Sequence, residues 1–209
     1  RILAGLGLTG LLAVSGWWGW PAARPELVVT PLDRTVAVLA DGPGRGDVLV
    51  DPGPAFHSRS LVRWLHRRGV NELDVVVLTR ASMEVAGALP ALWSEVRVRE
   101  VWLSAGVRPS PALQAVLAGA RAAGLTVVER ARGETGRTAG GWTWQVLHPS
   151  ATGRYTQAAA GALVLRLSRL DASALVTGPW HPVWQEEVLA GREDLATDLL
   201  VVTGGGTGE

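Results

Sequence analysis

Residues 72–87, ELDVVVLTRASMEVAG, decide how this chain is read. The DVVVLT run at 74–79 is continuously apolar and rich in Val, the pattern of a strand covered on both faces. It passes through the short polar turn Arg80-Ala81-Ser82 into a helical pattern around 85–93.

Upstream of this segment, 27–32 and 35–40 are β-rich runs separated by Asp33-Arg34, which predicts a hairpin. The turn cluster DGPGRG at 41–46 leads to a third strand at 47–50. Ser58 is read as the cap of a helix over 59–68, with Leu61, Val62, Trp64 and Leu65 as its apolar stripe and Gly69 as its stop. Downstream, 100–103 reads as a strand, Pro111 opens a helix over 112–123, and Gly124 ends it. A strand at 125–129 follows, then a polar loop at 130–140, RARGETGRTAG. Trp142, Trp144 and Val146 alternate with Thr143, Gln145 and Leu147, as in a half-buried strand. Strands at 162–167 and 174–177, a helix at 182–189 and a strand at 199–203 complete the order. Hairpins at both ends with strand–helix alternation between them do not suit a purely parallel α/β sheet. They suit a two-sheet sandwich flanked by helices.

Composition narrows the chemistry. The chain has 209 residues, 47% of them hydrophobic, a formal charge of +1 and no cysteine. A disulfide scaffold, a thiolate zinc site and a cysteine nucleophile are therefore excluded, and a strongly basic nucleic-acid domain does not fit. Every basic residue other than histidine is Arg, which removes Schiff-base and P-loop lysine chemistry. No charged residue occurs from Ile2 to Trp20, a run that closes with Trp17, Trp18 and Trp20 before Pro21 and Pro25. As a helix it would cover about 28 Å, close to the hydrocarbon core of a bilayer. Residues 1–25 are accordingly read as a transmembrane helix with a Pro-rich junction, and the frequent glycines favour that setting. A cleaved signal peptide, with Arg1 ahead of the apolar run and Ala22-Ala23 behind it, is the rival. The absence of an initial Met suggests a segment of a longer protein.

The ordered set LVVTPLD (27–33), DVLVDPG (47–53), RRGV (67–70), ELDVVVLT (72–79), AGALPAL (86–92), VREVWL (98–103), WQVLHPS (144–150), ALVLRL (162–167) and ALVTG (174–178) carries a family resemblance. It is similar to the metallo-β-lactamase-like domain of the ComEC competence proteins, membrane channels that internalise DNA. The resemblance implies a four-layer αββα sandwich over 26–209, C-terminally incomplete, behind the transmembrane segment. It also implies a channel in the inner (plasma) membrane with single-stranded DNA as partner and a metal site at one edge of the sheets. Active relatives carry a His-x-His-x-Asp-His cluster after the strand matching DVVVLT, because imidazole and carboxylate donors hold zinc or manganese.

Here that cluster reads Arg80, Ser82, Glu84 and Val85 at its four positions. The bridging Asp after LVTG becomes Pro179, and the late His-His-Gly becomes Gly204, Gly205 and Gly206. Asp51 of the DxG turn and the His148-Pro149 pair stand as in the family. A protonated guanidinium and an isopropyl group offer no lone pair to a metal, so these positions are expected to be a vestigial site, with no cofactor and no hydrolysis. The alternative is an active metal-dependent nuclease using Glu84, Asp51 and His57 as substitute ligands.

Other constellations give less. The four His form no HxH or HxxxH pair, no Gly-x-Ser-x-Gly elbow occurs, and TGGGTG near the C-terminus lacks a P-loop Lys. Arg80 and Glu84 are spaced for an ion pair. Arg59, Arg63, Arg67 and Arg68 recur at helical spacing as possible DNA contacts, with Arg130, Arg132 and Arg137 as a second basic loop.

Overall fold

A computed structural model describes residues 26–32, 35–42, 46–170, 172–191 and 195–204. The predicted membrane helix, Arg34 and Gly205 lie outside the described residues. Among the described residues no helix is long and apolar enough to cross a membrane.

Among the described residues, eleven strands form two sheets. The first contains β1 (Glu26–Leu32), β2 (Thr35–Asp41), β3 (Val48–Val50), β4 (Glu72–Val77), β5 (Arg97–Ser104) and β6 (Thr126–Arg130), in that spatial order. The first two pairings are antiparallel and the remaining three parallel. The second sheet has the order β11 (Leu199–Val202), β10 (Ala172–Thr177), β9 (Val164–Arg169), β8 (Thr143–His148) and β7 (Thr135–Arg137). Only its β10–β11 pairing is parallel. The helices are α1 (Ser58–Arg67), α2 (Met83–Ala86), α3 (Leu89–Glu95), α4 (Pro111–Ala122) and α5 (Pro182–Ala190).

Residue alternation along the strands sorts the layers. Leu39, Leu49, Val76, Leu78, Val101 and Leu103 face outward against Leu61, Leu65, Leu89, Leu92, Leu113 and Leu117 of the helices. Val38, Val50, Val75, Val77 and Trp102 face inward and meet Trp142, Val146, Leu165 and Val176 of the second sheet. Trp184 and Val188 of α5 cover Leu147, Ala162 and Val164 on the outer face of the second sheet. The DVVVLT run is continuously apolar because its side chains enter two different cores. The result is helix, sheet, sheet, helix: the αββα sandwich.

Three local expectations change. Ser58 makes no capping bond; α1 instead continues out of a 3-10 turn at Ala55–His57, and the Ser60 hydroxyl donates to the His57 carbonyl at 2.7 Å. The single helix expected around 85–93 is broken in two, because the Ala88 N–H donates to the Gly53 carbonyl at 2.9 Å rather than continuing the helical ladder. A side chain at Gly87 has no room either, since a Cβ there would lie 2.5 Å from the Ala55 nitrogen. The polar loop at 130–140 contains β7, whose Thr-Gly-Arg sequence carries no apolar signal and which pairs with β8 through its backbone.

Candidate functional site

The segments carrying the altered metal-ligand positions converge at one edge, where β3, β4, β10 and β11 end. Asp51 follows β3 with φ of 52°, a left-handed conformation that Asp tolerates better than most residues, and its side chain is fully buried. Its Oδ1 accepts the Thr79 N–H at 2.8 Å and its Oδ2 accepts the Thr79 hydroxyl at 2.6 Å. The Thr203 hydroxyl makes a further short bond to Oδ2 and reaches the Thr177 carbonyl at 2.9 Å. Burial drives the Asp51 carboxyl up to about 6, against the opposing pull of these hydrogen bonds and of the Arg80 charge. Asp51 therefore ties three strand ends together, with both oxygens already occupied.

Thr79 also accepts the Leu163 N–H at 2.6 Å through its carbonyl, which brings the entry to β9 to the same edge. Gly178 packs so closely that a Cβ there would lie 2.7 Å from the Ala162 Cβ and 3.4 Å from the Thr79 hydroxyl. A Cβ on Gly204 would lie 3.3 Å from the Pro179 Cβ. Thus Asp51, Arg80, Pro179 and Gly204 sit on neighbouring loops, although 28 residues separate Asp51 from Thr79 and 124 separate Thr79 from Thr203.

Each altered position has an identifiable place. Arg80 Nη2 donates to Glu84 Oε2 at 2.6 Å, forming the ion pair read from their spacing, with the Arg80 side chain only 15% exposed and Glu84 63% exposed. Ser82 caps α2, its hydroxyl accepting the Glu84 N–H at 3.2 Å. Val85 is fully buried in the helix-side core, and its carbonyl accepts the Gly53 N–H at 3.0 Å. Pro179 gives its carbonyl to the Trp184 indole N–H at 2.9 Å. For zinc or manganese these residues do not fit: a guanidinium, a capping hydroxyl, an isopropyl group, a proline ring and a glycine supply no donor set. Among the described residues no three His, Asp or Glu side chains group where one ion could be held.

The substitute ligands fare no better. Asp51 is sealed under Thr79 and Thr203, and Glu84 is paired with Arg80. His57 lies in the turn before α1 with its ring 4.5 Å from that of Phe56, its Nε2 buried and without a hydrogen-bond partner among the described residues. His148 is structural. Its Nδ1–H donates to the Ala162 carbonyl at 2.5 Å, and its Nε2 lies 3.3 Å from Glu187 of α5. Burial lowers the His148 imidazole below its usual range, against the opposing pull of the Ala162 carbonyl and the Glu187 carboxylate. Tyr155 donates to the same Glu187 oxygen at 2.8 Å, and its phenol is pushed up to about 12 by burial and that bond. Together they pin α5 to the sheet.

The arginine clusters divide. Arg59, Arg63 and Arg67 are exposed along α1 and carry no ion pair among the described residues. Successive members are four residues apart, so they rise about 6 Å per step along one helix face. Arg59 and Arg63 line an open groove of about 620 Å³ with His66 of α1 and Ala91, Ser94 and Glu95 of α3. Arg68, expected with them, is committed elsewhere: it pairs with Glu26 at 2.6 Å and lies over Trp64 at 5.7 Å. Arg130 of the second basic loop pairs with Glu134 at 2.8 Å and stacks on Trp102 and Trp144 at 4.3 and 5.0 Å. Arg132 donates to the Glu187 carbonyl at 2.9 Å. Three of the seven arginines expected on the cationic surface are therefore committed to contacts within the fold.

Sequence reasoning did not single out Thr79, Thr177 and Thr203, which no spacing marks. It also passed over Phe56 and Trp180, 73% and 61% exposed. An apolar aromatic inside a Pro/Gly-rich loop was the available signal for these two.

No protein-family model matches the sequence, and no curated protein matches it. Solved structures do resemble it. A metallo-β-lactamase from Cronobacter sakazakii superposes with a TM-score of 0.60 at 17% identity, over 90% of this chain and 79% of that one. The metallo-β-lactamase GOB-18 from Elizabethkingia meningoseptica gives 0.60 at 13% identity, over 87% and 74%. An archaeal metallo-β-lactamase superfamily protein from Sulfolobus tokodaii gives 0.55 at 15% identity, over 88% and 81%. The fold is that of the metallo-β-lactamase superfamily.

Proposed function

We propose that residues 26–209 are a non-catalytic metallo-β-lactamase-like domain of a membrane DNA-uptake channel of the ComEC type. The domain is held to the inner membrane through the apolar segment at 2–20 and contacts single-stranded DNA. One observation carries the loss of catalysis: Arg80, Ser82, Val85, Pro179 and Gly204 stand at the converging strand ends where a hydrolase of this fold needs donors. One altered ligand is compatible with compensation, whereas a cation, two groups without lone pairs and a glycine at separate loops are not. The channel context is supported by the ordered sequence resemblance, and the DNA contact by three exposed arginines on α1 that carry no ion pair among the described residues.

Metal analysis of the purified full chain is expected to find far less than one zinc or manganese per molecule, with no cleavage of single-stranded DNA above background. Near-stoichiometric metal together with turnover would overturn the reading. The DNA contact has its own measurement. Changing Arg63 and Arg67 together to Glu should weaken binding of a single-stranded oligonucleotide about tenfold at low salt. The slope of log affinity against log salt should also become shallower by about one per arginine. Equal affinities would remove α1 from the interface.

A further inference from the structure

Arg80 is a largely but not fully buried cation with an exposed and replaceable partner. Its Nη2 holds Glu84, but its Nε is buried without a hydrogen-bond partner among the described residues. A guanidinium presents five donors in a fixed fork that matches a carboxylate or a phosphate in two-point contact. Among the described residues only the Nη2 arm of this fork is engaged, by a carboxylate that is itself mostly in solvent. An ion pair of that kind is weakly held, because water already solvates one partner. The charge cannot be shed, since Arg stays protonated at any physiological pH.

The surroundings suit a phosphate group that belongs to a larger molecule. The loop carrying Arg80 is braced on one side by the segment bearing Phe56, through the Gly53 N–H to the Val85 carbonyl and the Ala88 N–H to the Gly53 carbonyl. On its other side Thr79 contacts the ends of β10 and β11, from which the Pro179-Trp180 segment departs. Phe56 and Trp180 are the two most exposed aromatic side chains among the described residues. Trp180 is propped edge-on against buried Trp184 with ring centroids 5.4 Å apart. An arginine beside neighbouring segments that carry exposed rings is a combination that can receive single-stranded nucleic acid, phosphate on the charge and bases on the rings.

We propose that Arg80 is the anchor of a phosphate-binding site in the former metal cleft, and that Glu84 is its built-in competitor, displaced when a phosphate group arrives. The inference rests on the non-catalytic reading of the cleft and adds a ligand to it: a fixed cation of the protein takes the anion without activating water to attack it. Free phosphate and the phosphodiester of a single strand share this chemistry, and binding measurements separate them.

The test uses the full chain, with inorganic phosphate and a single-stranded oligonucleotide lacking terminal phosphates as separate probes. Glu84→Gln is expected to tighten binding of at least one probe threefold or more, because the competitor loses its charge and keeps its shape. Arg80→Gln is expected to weaken the same probe about tenfold, and in the double variant the gain from Glu84→Gln should vanish. A gain for phosphate alone assigns the free anion. A gain for the oligonucleotide that Trp180→Ala reduces, and that leaves phosphate binding unchanged, assigns the strand. Unchanged affinity for both probes in Glu84→Gln would overturn the proposal. So would a gain of equal size in the Arg80→Gln background, since it would then be a general effect of surface charge. Glu84→Gln keeps the test decisive even if Arg80→Gln folds poorly. Metal-dependent cleavage would sink the non-catalytic reading while leaving the dependence on Arg80 and Glu84 to be read separately.

Discussion

Asp51→Ala should lower the stability of the fold by about 3–5 kcal/mol, measured by urea denaturation near pH 6. The carboxylate is fully buried and receives the Thr79 N–H, the Thr79 hydroxyl and the Thr203 hydroxyl. Removing it strands donors that water cannot reach, at about 1–3 kcal/mol each. Alanine must also adopt a φ of 52°, which costs roughly 1 kcal/mol more than for Asp or Asn. Asp51→Asn should recover most of the loss, because its carbonyl oxygen accepts the Thr79 N–H and its amide donates to the Thr203 hydroxyl. The pair of variants separates lost hydrogen bonding from lost charge.

The same residue sets a pH dependence whose direction is fixed. Its folded carboxyl is raised from 3.8 to about 6, chiefly by burial. The fold therefore holds this proton more tightly than the unfolded chain does. The contribution is fully present below pH 4 and is lost as pH rises through about 6. At about 1.4 kcal/mol per pH unit, that is roughly 3 kcal/mol of stability between the two ends of the window. Asp47, raised to about 6 mainly by burial and holding the Gly42 N–H at 2.9 Å, contributes in the same direction. Asp51→Asn should thus flatten the curve between pH 4 and 7 while leaving a shallower slope from Asp47. An unchanged slope would mean that Asp51 does not titrate in this window.

What was legible in the sequence follows from what burial writes into it. DVVVLT announced a strand between two cores because Val75 and Val77 meet the second sheet while Val76 and Leu78 meet the helices. The Trp142–Val146 alternation was readable for the same reason. β7 was not, because a strand that contributes only backbone bonds leaves no apolar pattern. The break between α2 and α3 was invisible because its cause, the Gly53 carbonyl, lies far back in the chain. The meeting of the Asp51, Arg80, Pro179 and Gly204 loops at one edge was legible only through resemblance: no periodicity places Thr79 against Thr203. The cationic surface was overestimated because an Arg letter does not tell whether an acid or an indole ring waits for it, as for Arg68 and Arg130.

Val85→His, which introduces one metal-ligand residue type, should destabilise the protein by about 3 kcal/mol rather than create a site. Val85 is fully buried in the helix-side core, and its main chain is fixed by the Gly53 N–H to its carbonyl. An imidazole is larger than an isopropyl group and brings two polar nitrogens into a pocket of aliphatic side chains. Overpacking and unsatisfied polarity each cost about 1–3 kcal/mol in such places. Zinc would have to repay that cost by binding the folded state alone, which requires a concentration well above the dissociation constant. The neighbouring Arg80 is a fixed positive charge, and Asp51 already spends both oxygens on hydroxyl and amide donors. Added zinc should therefore leave the denaturation midpoint of Val85→His unmoved. A zinc-dependent rise that brought the variant back to the parent midpoint would show that the ligand geometry survives and that one side chain separates this cleft from a metal centre. The core packing around Val85 argues for the opposite: an aliphatic side chain fills this position from the helix side, and the surrounding core is built to hold it rather than an imidazole.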